Sequence, residues 1–283
     1  MEGDPVRMDA LSNYAPFRTH DHENALCFHL RINQPSPYDE AAAEHYFTDR
    51  SEDGMPRIEL YRIGTEIWQL RMAPVRQAPV CCVLTATADF RQAWLQVTDD
   101  RQWAFAVNNA AMLLFAFSTV STGTLEMHAS VVKQQGRGYM FLGKSGTGKS
   151  THARQWLAAF SDATLLNDDN PVLRVFNEAD GVRVRVYGSP WSGKTPCYIN
   201  DSATVGGIVQ LNQAPCNEVR QMGMPEAYAY ILSSASGMKI LPDVMDALYS
   251  TIACLLENMP VHSMNCLPDA DAARVCRKAV NPS

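Results

Sequence analysis

Two textures of apolar patterning divide the chain. Over the first hundred residues, apolar and polar positions partly alternate in short β-branched or aromatic runs. These are "LCFHLRI" (26–32), "RIELYRI" (57–63), "EIWQLRM" (66–72), "PVCCVL" (79–84) and "AWLQV" (93–97). Runs of this period and composition predict strands, and Gly64 in Ile63-Gly64-Thr65-Glu66 predicts a hairpin turn between two of them. The Pro- and acid-rich stretch "NQPSPYDEAAAEHYFTDRSEDGMP" between the first pair predicts a long surface connection. Residues 101 to 120 change to a helical pattern. Their most apolar run, "AAMLLFAFSTV", has 11 residues. That is too short to cross a bilayer, so it reads as a buried helix.

From "LEMHASVV" (125–132) the pattern changes again. A turn at Gln135-Gly136-Arg137-Gly138 leads to the apolar strand "YMFLG" (139–143), then a glycine-rich loop and a helix from Lys149 to about Phe160. A strand, "ATLLN" (163–167), ends in Asp168-Asp169. "PVLRVF" and "VRVRVYG" form a hairpin around "NEADG", and "GSPWSGK" (188–194) is a second glycine-rich loop. A buried strand "GGIVQL" (206–211), helices over 225–235 and 242–258 and a last short helix complete the chain. The expected class is α/β (α+β). A mostly antiparallel β module over 1–120, with a linking helix, precedes a mixed-sheet domain over 121–283.

The loop "FLGKSGTGKST" (141–151) carries the clearest chemistry. Gly143, then Gly148-Lys149-Ser150 after four intervening residues, is the spacing of a phosphate-binding loop. Glycines there permit backbone angles that turn successive N–H groups inward to cradle phosphate oxygens. The residues expected to hold a nucleotide are Gly143, Lys144, Ser145, Gly146, Thr147, Gly148, Lys149, Ser150 and Thr151. Lys149 would reach the β/γ-phosphates, the Ser150 hydroxyl would serve Mg²⁺, and the helix start would add its dipole.

If the strand before the loop and the strand before Asp168-Asp169 run parallel, through a right-handed crossover, their carboxyl ends share one sheet edge. One aspartate could then help hold Mg²⁺, and the other could take or position a proton. Asp-Asp-Asn-Pro is also good turn chemistry, the competing reading. His128 lies on the strand before the loop strand; a lone histidine is more often structural. Lys194 is a candidate cation near the phosphates, or a solvated loop lysine. Trp191 either walls the site or packs, and Arg174, Arg183 and Arg185 read as a solvated face. The other histidines show no ligand spacing.

A net charge of −6 and a pI near 5.6 argue against nucleic acid as a partner, which requires a basic face. The first residues contain no signal-like apolar core, and none of the eight cysteines forms a C-x-x-C pair. Reduced thiols in a cytoplasmic protein with no membrane partner are the expectation, and a homo-oligomer is left open.

Residues about 125 to 215 resemble the catalytic domain of HPr kinase/phosphorylase, whose nucleotide fold is shared with phosphoenolpyruvate carboxykinase. The resemblance rests on His128-Ala129-Ser130, "GKSGTGKST", "LLNDDNP" and "YGSPWSGK" in that order. The texture "MHAS…GSPWSGKTPCY" is similar above all to uncharacterised relatives of HPr kinase, and similar kinases tailor serine in peptides. The resemblance implies ATP and Mg²⁺ as cofactors, with Ser150 and Asp169 serving the metal. It implies Asp168 as leading general-base candidate, and His128 and Lys149 beside the carboxylates. The implied activity is kinase transfer of the γ-phosphoryl group to a hydroxyl of a peptide, small protein or small metabolite. A non-catalytic nucleotide-binding regulator and a carboxykinase-like enzyme are the rival readings.

Overall fold

The structure, a computed structural model, describes residues 1–19, 26–49, 55–193, 195–237 and 240–280. It divides into two compact units, Met1–Ala15 with Thr19–Ser118, and Pro16–Arg18 with Thr119–Ser283. Both contain a mixed sheet, so the class is mixed α and β.

In the first unit a short helix α1 (Pro5–Asp9), capped by Asp4, precedes six strands. These are β1 (His29–Ile32), β2 (Glu44–Thr48), β3 (Arg57–Ile63), β4 (Ile67–Ala73), β5 (Cys82–Thr87) and β6 (Gln92–Val97). Their order is β1-β6-β5-β4-β3-β2, with β1 parallel to β6 and every other pair antiparallel. Register puts Leu60, Leu70, Leu84, Leu95 and Ile32 in one transverse row, all buried. A one-residue slip would turn that whole row over, so burial of this face fixes the pairing. Gly64 makes the β3–β4 turn at φ +59°.

The expected surface connection is more structured than its composition suggests. It holds a 3₁₀ turn at Glu40–Ala42 and edge strand β2. Because β2 buries none of its side chains, it carries no alternating apolar signal. Helix α2 (Trp103–Thr119) follows, with Phe117 edge-on to Phe90 at 4.9 Å. With its flanking turns this helical stretch, Asp100–Thr122, is 23 residues long. By length and composition it could cross a bilayer, which corrects the count based on the 11-residue run. In this structure 56% of its most apolar window is buried.

The second unit contains β7 (Thr124–Glu126), β8 (Ala129–Gln134), β9 (Arg137–Leu142), α3 (Lys149–Ala159), β10 (Ala163–Asp169), β11 (Val172–Glu178) and β12 (Gly181–Tyr187). Then come β13 (Ser202–Gln213), β14 (Glu218–Gln221), α4 (Met224–Ser234), α5 (Pro242–Asn258), β15 (Val261–Cys266) and α6 (Ala270–Val280). The sheet order is β10-β8-β9-β13-β12-β11-β7, with β15 also parallel to β13 and β14 antiparallel to β15. The tight β8–β9 turn uses Gln135 and Gly136 at φ +51° and +75°, the mirror-image turn that suits strand twist.

The predicted direction of β10 holds, but not as neighbour to β9. β8 lies between them and is antiparallel to both, so β9 and β10 run the same way. The long β13 spans the unit. Its first residues pair with β12, its middle with β9 and its end with β15.

Helices α3 and α6 cover one face of β8, β9, β13 and β15. Trp156 lies fully buried there against Tyr139, Phe141 and Ala153, near Ala273 and Cys276. Its indole N–H also donates to the Gln134 side chain at 3.1 Å, tying α3 to β8. Trp156→Ala should therefore destabilise the unit by about 3–5 kcal/mol, the usual cost of removing a buried aromatic. Urea unfolding of the two proteins measures it; a loss below about 1 kcal/mol would mean that α3 is not anchored through this residue.

Candidate functional site

Strand register builds the site. Leu142 on β9 faces Ala129 on β8, which faces Asp169 on β10. The end of the loop strand, the start of β8 and the acidic doublet therefore form one row across a sheet edge. His128 immediately precedes β8. It lies not on a continuous strand, as expected, but in a break between β7 and β8. There its amide donates to Ser234 O at 2.7 Å, and the end of α4 bridges Met127 through Ala235.

The glycine loop runs from Gly143 (φ +154°) to Gly148 (φ +107°), where α3 begins. A Cβ on Gly143 would lie 3.0 Å from the Thr147 Cβ, so the closed turn requires glycine. Thr147 closes it further by donating through both its amide and its hydroxyl to Lys144 O. Lys144, Ser145 and Gly146 form its exposed crest. Among the described residues no side chain caps α3, and its first turn contains no acid. Its leading N–H groups are thus free to meet an anion. Gln213, at the end of β13, donates to Gly146 O and Thr147 O at 3.2 and 3.4 Å and props the loop from the other side.

Lys149 points back along the loop. Its ammonium donates to Gly143 O at 2.9 Å and lies 3.0 Å from His128 Nε2. The same Nε2 is 3.4 Å from Asp169 Oδ1. One nitrogen cannot both accept from the ammonium and donate to the carboxylate, so the position of one proton decides which partner it binds. Burial, reinforced by Lys149, holds the His128 imidazole below its ordinary pKa, against the pull of Asp169. Burial also lowers the Lys149 ammonium, with Asp169 and Asp168 opposing.

The two aspartates have different neighbours. Ser150 donates to Asp168 Oδ1 at 2.9 Å, whereas Asp169 faces His128 and accepts from the Asn170 side-chain Nδ2 at 3.1 Å. Of the two aspartates, either of which could serve the metal with Ser150, it is Asp168 that the Ser150 hydroxyl reaches in this structure. Asp169 sits at φ +150°, a backbone angle that L residues rarely adopt. The second glycine loop braces it: Gly193 N donates to Asp168 O at 2.7 Å, and Ser192 bridges Asp169. Asn167 ties the same loop in through Ser189 Oγ and Trp191 O. Trp191 is buried there.

Gly143 to Thr151, His128, Asp168 and Asp169 therefore converge at one place, while Lys194 lies outside the described residues. Among the described residues no group of three or more His, Cys, Asp or Glu side chains is arranged to hold a metal. All eight cysteines are free thiols.

Three contributors were not anticipated. Asn167 could have been noticed as the amide directly before the doublet, and Gln213 as a polar end to an apolar strand. Glu126, two residues before His128, is the carboxylate that interrupts "TLEMHASVV". It is 1% exposed, and neither of its oxygens has a hydrogen-bond partner among the described residues. Burial, with Asp169 adding repulsion, pushes its pKa up to about 8.

Such a carboxyl stays protonated in the fold at pH values where the unfolded chain has already released its proton. Stability should therefore fall as pH rises from about 4.5 to about 8. Glu126→Gln removes this dependence. Thermal melts should show the variant gaining on the parent across that window, by on the order of a few kcal/mol at its upper end. A gap that stays flat with pH would mean that Glu126 is ionised and partnered.

No protein-family model matches the chain, and no curated protein matches it. Among solved structures, the chain is similar to the HPr(Ser) kinase/phosphatase from Coxiella burnetii at 14% identity and a TM-score of 0.26. That match covers 47% of this chain and 99% of the other. A likeness of this size identifies neither family nor activity.

Proposed function

We propose that the second unit is an ATP- and Mg²⁺-dependent phosphotransferase that moves the γ-phosphoryl group to a hydroxyl, a serine of a peptide or small protein or a small metabolite. The observation that carries this reading is the meeting of an uncapped, glycine-built helix start with an ammonium, an imidazole and two aspartates at one sheet edge. Phosphoryl transfer asks mainly for positioning and charge compensation, which these groups supply.

The triphosphate would lie along the loop amides and the α3 start. Lys149, held by Gly143 O and His128, would exchange those partners for phosphate oxygens. Ser150 Oγ and Asp168 Oδ1 are adjacent hard oxygens, the donor type Mg²⁺ takes alongside phosphate and water. When bound, Mg²⁺ would offset the charge of the phosphates. Asp169, with His128 beside it, would orient the acceptor hydroxyl and receive its proton as the new oxygen–phosphorus bond forms and ADP leaves. The depressed pKa of His128 favours the neutral imidazole that such a role needs.

Labelled ATP, Mg²⁺ and a cell extract supply the test. Lys149→Ala should abolish transfer of label to peptide or metabolite, and full activity in that variant would remove the loop from the mechanism. Asp169→Asn should retain ATP binding while transfer falls by about 10²–10⁴-fold. Asp168→Asn should instead raise the Mg²⁺ concentration needed for half-maximal activity. Tight ATP binding by the unaltered protein with no transfer to any acceptor would point to the regulator reading.

A further inference from the structure

One hydroxyl on the central strand of the site has no use in packing. Ser130 on β8 lies directly opposite Asp168 on β10 and Phe141 on β9. Residues directly opposite in an antiparallel pair share a face, with their Cβ atoms about 4.5–5.5 Å apart. Ser130 also alternates with Val132, which packs with Phe141, Ala153 and Trp156 beneath α3. Its side chain therefore stands on the α3 side of the sheet, next to that of Asp168.

Ser130 is fully buried, and its Oγ has no hydrogen-bond partner among the described residues. Gln134, on the same face farther along β8, shows the usual arrangement: it accepts from Trp156 at 3.1 Å and donates to Asp162 at 2.6 Å. A hydroxyl sealed from water without a partner costs stability, and alanine in its place would not. Asp168 is short of donors in the complementary way. Among the described residues only Ser150 donates to its carboxylate, at 2.9 Å, and that hydroxyl is the one assigned to Mg²⁺. When Ser150 and Asp168 both turn lone pairs to a cation, the carboxylate loses this donor. Carboxylates that hold metals are themselves held by hydrogen bonds from behind. The Ser130 hydroxyl, free to rotate about its Cα–Cβ bond, is the unengaged donor at that position.

We propose that Ser130 is a positioning residue for the metal: its hydroxyl, unengaged in the metal-free protein, donates to the Asp168 carboxylate when Ser150 and Asp168 take Mg²⁺. The inference rests on the Mg²⁺ reading above and adds to it a residue that acts through Asp168 alone. Two effects of opposite sign should follow from one substitution, because a donor kept for the loaded state weakens the unloaded one.

Ser130→Ala should raise the melting temperature of the metal-free protein by about 2 °C or more. ATP affinity, measured by calorimetry with Mg²⁺ in excess and again with EDTA, gives the gain due to the cation as the ratio of the two Kd values. The same variant should cut that gain by about tenfold and leave ATP binding in EDTA within about twofold of the parent. Ser130→Cys fills similar space with a weak donor and should also cut the gain, by about threefold or more. A gain within about twofold of the parent in Ser130→Ala overturns the assignment, while the Ser150–Asp168 reading stands. A melting temperature that is unchanged or lower overturns it too, since the hydroxyl would already be bonded in the metal-free fold. Loss of the gain in Ser130→Ala with full retention in Ser130→Cys traces the effect to lost volume and overturns it as well. If the unaltered protein shows no gain from Mg²⁺, the metal reading itself fails and Ser130 with it.

Discussion

The hydrogen-bonded register of β10, β8 and β9 is the constraint on which the site depends. Leu142, Ala129 and Asp169 share one row, so the glycine loop, His128 and the acidic doublet emerge side by side. A one-residue slip of β8 would exchange the faces of Ser130 and Val131, both fully buried, and move Ala129 out of line with Leu142 and Asp169. The same core that makes the sheet stable therefore also sets the chemistry. Trp156 reinforces it, because one side chain packs α3 on β9 and hydrogen-bonds it to β8.

Electrostatically the edge is compact and unbalanced. Lys149 is the nearest cation to His128, Asp168 and Asp169 in the described contacts, and it is held by a carbonyl and an imidazole rather than by a carboxylate. Glu126 adds a buried carboxyl, close enough to feel Asp169, with no hydrogen-bond partner among the described residues. Groups left this way cost stability, and such costs collect where a site must receive a charged ligand. The strained Asp169 backbone belongs to the same pattern. An anion on the loop and a cation at the aspartates would answer both signs of charge together.

Much of this was legible because glycines, aspartates and periodic apolar runs act locally. The Gly64 turn, α3 and the β11–β12 hairpin follow from residue spacing alone. The shared edge of β9 and β10 also followed from strand direction, although β8 comes between them. Four features were hidden for physical reasons. Strand β2 buries no side chain, so its pairing with β3 leaves no pattern. Strand β14 is four residues long, too short to show a period. The pairing of Ser150 with Asp168 rather than Asp169 depends on which way adjacent side chains point, and two neighbouring aspartates look alike in sequence. Glu126 was visible as a letter, but only folding reveals that it is sealed from water.

The second glycine loop has a mechanical consequence. Gly188 has no room for a side chain, since a Cβ there would lie 2.0 Å from Ile199 O. At its far end, Gly193 is bonded to the backbone of the doublet and Asn167 grips its middle. Residues 188–193 thus form a short, stiff arm fixed at both ends, and one attachment is Asp168 itself. Any displacement of that arm, whatever caused it, must be transmitted to the aspartates as a change of angle rather than absorbed as slack.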